Sequence, residues 1–198
     1  MRILVCDVAI KGCSVGCFDD SNGIAVQRRI DTERGQAEML IPLIDEVVRS
    51  AGWERSWIDR IAVTTGPGSF TGVRIGLATA RHLGMALDRP VMGFSTFAVV
   101  RAGCDNPAAL ILFDTQRGDY YGETSEGARH IWSAEDVETY SDLTVKDALP
   151  DLAVMARLAA QADVSSHYEA DQVPVPVYLR GAEVSLPKKN PRVFSSAS

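Results

Sequence analysis

Two strand-length apolar runs, each closed by an aspartate and followed by a hairpin, constrain this chain more than any other feature. They are Ile3-Leu4-Val5-Cys6-Asp7 and Leu110-Ile111-Leu112-Phe113-Asp114. Behind each comes a basic residue with glycine, Lys11-Gly12 in the first case and Arg117-Gly118 in the second. A return strand then follows, Cys13–Phe18 or Asp119–Thr124. Glycine beside short polar residues is what a tight reversal needs. The echo predicts two related lobes that each begin as an antiparallel meander.

Between the two runs the period of the apolar pattern changes. Asp20-Ser21-Asn22-Gly23 marks a turn and Ile24–Ile30 a third strand. Leu40, Ile44, Val47 and Ala51 then recur at helical spacing, while Ile41, Leu43 and Val48 widen the stripe beyond one core face. So broad a surface predicts contact with more than the chain's own sheet. Pro42 lacks an N–H and is expected to kink or begin the regular helix, which Gly52 closes. Arg60–Thr64 reads as a strand entering a glycine-rich turn, followed by a helix to about Leu87. Val91–Phe94 is a buried strand and Thr96–Ala102 a short helix. Strand and helix alternating after a meander imply an α/β chain whose sheet is extended in parallel under packed helices. Further on, Ala134–Ser141 is polar and Leu149–Ala162 reads as a helix. In Val173–Arg180 the prolines bias their predecessors toward extended backbone, and Ser195–Ser198 is expected to be a mobile end.

Composition narrows the function classes. A chain of 198 residues with 46% hydrophobic and 23% charged residues can bury a core and stay in solution. No apolar run approaches the roughly 18 residues of a bilayer span, and the opening is too short for a signal peptide. A cytoplasmic protein without membrane attachment is therefore expected. The net charge of −6 argues against holding nucleic acid alone, because such affinity rests on Lys and Arg neutralising phosphates. Cys6, Cys13, Cys17 and Cys104 form no C-x-x-C pair and read as small buried hydrophobes, with Cys13 and Cys17 on one strand face.

The segment with most chemical content is Gly66-Pro67-Gly68-Ser69-Phe70-Thr71-Gly72-Val73-Arg74-Ile75-Gly76. A glycine-rich turn from strand to helix can aim backbone amides at an anion. It is no P-loop, since Val73 and Arg74 stand where Lys and Ser or Thr are needed. It is no dinucleotide fingerprint either, because Thr71 takes the third glycine position. A structural turn and a ligand loop both fit. Arg74 reads as a solvated cation, or as the partner of an acid or phosphate from outside its helix. Gly76, Ala80 and Gly84 form a small-residue ridge, and a helical glycine costs about 1 kcal/mol relative to alanine. Close packing on the chain's own sheet or on another subunit's helix would offset that cost. His82, His130 and His167 are scattered and Ser69 lies in no nucleophile elbow, so neither catalytic nor metal-ligating residues are expected. Asp7 and Asp114, at strand ends, suit turn caps or carboxylates that orient a metal–phosphate group.

Taken with Arg2-Ile3-Leu4, Leu40-Ile41-Pro42-Leu43-Ile44 and Pro90-Val91-Met92-Gly93-Phe94-Ser95-Thr96, the glycine-rich segment resembles the TsaB (YeaZ) family. The likeness covers most of residues 1–125 and resumes at Pro176-Val177-Tyr178-Leu179-Arg180. It implies the actin/Hsp70/sugar-kinase (ASKHA) fold, with two lobes on a repeated βββαβα theme. Residues 1–103 would form the lobe carrying the signature, and 104–198 a smaller, reduced lobe with an extended tail. The resemblance further implies a non-catalytic subunit. Its partner would be TsaD, the metal-holding subunit that transfers threonylcarbamoyl to adenosine 37 of tRNA. The ATPase TsaE would join the assembly, tRNA would be met only through the complex, and the free chain could form a homodimer. The partner contact is expected on Leu40, Ile41, Ile44, Val48, Arg74, Gly76, Ala80 and Gly84, beside the signature loop Gly66–Gly72. No cofactor is expected on this chain alone. ATP or ADP at the partner interface is the allowance, with Asp7 and Asp114 as the nucleotide-proximal candidates. Gln36 stands where many relatives have histidine, and TsaD's metal-binding histidine pair has no counterpart. The competing readings are a sugar-kinase-type phosphotransferase or ATPase and, with less behind it, a metallopeptidase.

Overall fold

Burial on both sides of the opening strand organises the first lobe. In this computed structural model, which describes residues 1–21, 24–140, 144–163 and 173–180, β1 (Arg2–Asp7) is the central strand of a five-stranded sheet. It pairs antiparallel with β2 (Cys13–Asp19), which pairs antiparallel with β3 (Ile24–Ile30). On its other side β1 pairs in parallel with β4 (Arg60–Thr64), and β4 with β5 (Val91–Phe94), giving the order β3-β2-β1-β4-β5. Strand residues alternate between faces. Leu4 and Cys6 therefore enter one core while Ile3 and Val5 enter the core behind it. That double burial is why β1 reads as an unbroken apolar run.

Helices α1 (Gln36–Ser50) and α2 (Phe70–Leu87) cover the first face. Leu40, Leu43, Ile44, Val47 and Val48 of α1 pack with Val15 and Cys17 of β2 and with Leu77 of α2. The helix begins at Gln36 and is continuous through Pro42, so Pro42 does not begin it. Pro42 and Glu38, whose carbonyl loses its i+4 donor, are both exposed, so water can satisfy that group.

The second sheet repeats the plan. β6 (Leu110–Asp114), β7 (Asp119–Glu123) and β8 (Arg129–Ser133) form an antiparallel meander, and β9 (Thr144–Lys146) adds a parallel strand in the order β8-β7-β6-β9. Helix α3 (Thr96–Ala102) sets Phe97 and Val100 against Ile111 and Phe113, with the two phenyl rings 5.2 Å apart. Among the described residues the helix on the outer face is the short α4 (Ala134–Thr139), whose Val137 packs on Leu110 and Leu112. Two meanders, each extended by parallel strands and flanked by helices, make the two-lobe ASKHA arrangement with a reduced second lobe.

One crossing ties the halves together. Helix α5 (Leu152–Gln161) follows the second sheet in sequence yet packs on the first, where Leu152, Met155, Ala156 and Ala159 meet Ile3, Val5 and Ala62. Asp151 caps it, accepting from the Ala153 amide at 2.7 Å. Among the described residues no helix is long and apolar enough to cross a membrane. Asn22 and Gly23 of the expected turn, His167 and the expected mobile end at 195–198 lie outside the described residues.

Candidate functional site

The glycines of the signature loop are explained by the chain's own backbone. The loop runs from the end of β4 into α2 directly beneath the β1–β2 connection. A Cβ at Gly68 would stand 2.3 Å from the Ala9 carbonyl oxygen, and one at Gly72 would stand 2.0 Å from that of Val8. Real Cβ atoms do not approach oxygen so closely, so both positions exclude a side chain. The Ser69 amide donates to the Ala9 carbonyl at 2.8 Å, clamping loop to hairpin. The Ser69 hydroxyl accepts from the Gly72 amide at 3.1 Å, so α2 brings its own N-cap. The Gly66 carbonyl accepts from the Thr96 amide at 2.8 Å, fixing the loop to α3 as well. Self-packing thus accounts for Gly68 and Gly72, while Pro67, Gly68, Ser69 and Phe70 also line the cleft between the lobes.

Asp7 and Asp114 occupy equivalent strand ends but different surroundings. Asp7 is 1% exposed, and its Oδ1 accepts from the Ala9 amide at 3.0 Å and from the Thr64 hydroxyl at 2.6 Å. Burial pushes its carboxyl above the ordinary carboxylate range, against the opposing pull of those hydrogen bonds. It braces the turn from below and does not line the cleft. Asp114 is exposed on the cleft wall, where its carboxylate accepts from the Gln116 amide at 2.6 Å, while Asp147 accepts from the Asp114 amide at 2.8 Å.

That cleft, about 900 Å³, lies between the lobes. Lys11, Glu33 and Gln36 stand on the first-lobe side, Asp114, Arg117 and Asp147 on the other, and residues 177–180 close it. Among the described residues no group of three or more His, Cys, Asp or Glu side chains is placed to hold a metal ion.

The helical layer separates the expected contact residues into two sets. Leu40, Ile44 and Val48 are 0%, 7% and 3% exposed and belong to the core. The ridge also points inward: Gly76 faces Val8 and Val63, Ala80 is fully buried, and Gly84 faces Val91. The ridge thus exists to seat α2 on β4 and β5. Ile41 and Arg74 point outward instead. Phe70 and Met85 of α2, which periodicity did not single out, are exposed as well, at 46% and 68% beside 51% for Ile41; Phe70 lines the cleft next to Tyr178. The Arg74 guanidinium carbon stands over the Phe70 ring, 3.7 Å from its centroid, and Nε donates to the Tyr178 hydroxyl at 2.9 Å.

The fold, the interlobe cleft and the self-packed loop define a member of the actin/Hsp70/sugar-kinase class. Comparison with known proteins narrows this. The family model described as TsaD, tRNA N6-adenosine threonylcarbamoyltransferase, matches residues 30–169. The tRNA threonylcarbamoyladenosine biosynthesis protein TsaB of Escherichia coli K12 is 32% identical over 143 residues, 70% of this chain and 61% of that protein. The chain therefore spans about three fifths of that curated relative. The solved structure of YeaZ from Pseudomonas aeruginosa superposes with a TM-score of 0.73 at 25% identity, covering 90% of this chain and 99% of the other. The chain belongs to the TsaB (YeaZ) family, within the wider group that the TsaD model describes.

Proposed function

We propose that this chain is a cytoplasmic, non-catalytic subunit that binds TsaD and supports transfer of threonylcarbamoyl to adenosine 37 of tRNA. The names of its curated relatives support a place in threonylcarbamoyladenosine biosynthesis. The observation that carries the subunit reading is the outward surface of α1 and α2. Ile41 of α1 and Met85 of α2 stay exposed although the same helices bury a full inner face. TsaD covers this surface in the proposed heterodimer, TsaE joins that assembly, and tRNA is engaged through the complex. A homodimer of the free chain would use the same surface and compete with TsaD.

Calorimetric titration with the cognate TsaD tests the reading. Ile41→Asp and Met85→Asp, at exposed positions, should leave the free chain folded and weaken association at least about tenfold, equivalent to ~1.4 kcal/mol. Unchanged affinity in both variants would remove this surface from the interface. The second reading, a sugar-kinase-type ATPase, has the cleft and Asp114 in its favour, and ATP or ADP at the partner interface is the milder form of it. Steady ATP hydrolysis by the purified chain would decide for the second reading.

A further inference from the structure

The extended segment Val173–Arg180 touches both lobes along its length. At its start, Arg81 of α2 donates to the Pro174 carbonyl, from Nε at 3.1 Å and also from the terminal nitrogen. Pro174 itself lies over Gly93 of β5, where a Cβ would come within 2.5 Å of the proline ring. The Val177 amide donates to the Thr65 carbonyl at 2.8 Å, at the entrance of the signature loop. Tyr178 stacks at 5.4 Å on Phe70 and takes the hydrogen bond from Arg74. Each of these contacts is with the first lobe. Leu179 then packs on the Phe97, Ile111 and Phe113 cluster, and Arg180 pairs with Asp119 of β7, both in the second lobe.

We propose that Val173–Arg180 is an interlobe clasp that fixes the opening of the cleft, with the Arg74–Tyr178 pair as its latch on the first lobe and Arg180–Asp119 as its latch on the second. The segment spans the junction within two residues, from Tyr178 to Arg180. Extended chain advances only about 3.3 Å per residue, so the two latches cannot separate far while both hold. The prolines limit the segment's freedom before it docks, which lowers the entropy lost on clasping. Arg74 is exposed on the outward face of α2, so a ligand that draws its guanidinium away would loosen the clasp from outside the cleft. This inference concerns the free chain and stands apart from the partner assigned above.

The test uses the full chain with Cys104→Ser and spin labels at Glu33→Cys and Lys146→Cys, exposed positions on the two sides of the junction. Double electron–electron resonance should give one narrow separation for this parent. Tyr178→Ala, Arg74→Ala and Arg180→Ala should each broaden the distribution and displace it to longer separations, and Tyr178→Ala with Arg180→Ala should do so most. Val175→Ala, at an exposed position on the same segment, should match the parent. Circular dichroism identifies folded variants, and the single variants decide if the double one fails to fold. Parent-like distributions in folded Tyr178→Ala and Arg180→Ala chains overturn the clasp.

Discussion

Adding one methyl group at each glycine of α2's ridge should separate two outcomes that helix propensity alone would make equal. Alanine in place of glycine inside a helix is worth about 1 kcal/mol in favour of folding. At Gly76 the new Cβ would meet Val8 Cγ2 at 3.3 Å and Val63 Cγ2 at 3.5 Å, a contact both side chains can accept with a small shift. Gly76→Ala should therefore be neutral or stabilising by up to ~1 kcal/mol. At Gly84 the same atom would stand 2.3 Å from Val91 Cγ2 and 2.9 Å from the Arg89 carbonyl oxygen. Valine has little rotamer freedom and the carbonyl is held by the chain, so the helix end must move. Overpacking of this kind costs about 1–3 kcal/mol, which exceeds the propensity gain. Gly84→Ala should melt below Gly76→Ala by roughly 4–8 °C, taking ~2 kcal/mol between them and about 2–4 °C per kcal/mol for a chain of this size. Melting of the free chain is followed at several concentrations, so that self-association does not masquerade as stability. Equal melting temperatures, with TsaD binding lost in Gly84→Ala alone, would place the ridge at the interface and refute its placement in the core.

Two further outcomes follow from charge. Asp7 has a raised pKa in the folded chain, so its contribution favours folding below the ordinary carboxylate range and turns into a cost as pH rises through the folded value. Asp7→Asn carries no such titration, and its melting temperature relative to the parent should climb from pH 4 to pH 7; a flat difference would contradict the buried-carboxyl account. The free chain, at net charge −6, should bind tRNA no more tightly than the ~10⁻⁴–10⁻⁶ M of non-specific binders at physiological salt, and a nanomolar titration would refute this.

The fold was legible in the chain wherever burial leaves a period. β1 and β6 announced themselves as paired apolar runs, and α1 and α2 as helical stripes with a glycine-rich entry between β4 and α2. What periodicity cannot report is the surface that covers a buried face. The wide stripe of α1 suggested a second subunit, yet Leu40, Ile44 and Val48 are consumed by β2, α2 and the intervening core. Ile41 and Arg74 belong to the outer surface for the opposite reason: both side chains stay exposed, Arg74 beside Phe70 and Tyr178. The glycines of the signature loop posed the same problem, because a cradle for phosphate and a seat for the chain's own hairpin need the same missing Cβ. The 2.0–2.3 Å approach of the Val8 and Ala9 carbonyls, which makes the seat for the hairpin visible, has no signature in the sequence. β8, reading Arg-His-Ile-Trp-Ser, gave little period-2 signal because its residues are largely exposed, and β9 is three residues long. The destination of α5 on the first sheet is a tertiary fact with no local signature.

The central claim is that this chain supports a catalyst without being one. Formation of threonylcarbamoyladenosine is the measurement that meets it directly, with purified chain, cognate TsaD, TsaE, threonylcarbamoyl-adenylate and tRNA combined and then omitted one at a time. The account predicts modified nucleoside when this chain and TsaD are both present, none from this chain without TsaD, and a marked loss when this chain is left out or carries Ile41→Asp with Met85→Asp. Modified nucleoside produced by this chain without TsaD, or full activity of TsaD without this chain, would contradict it.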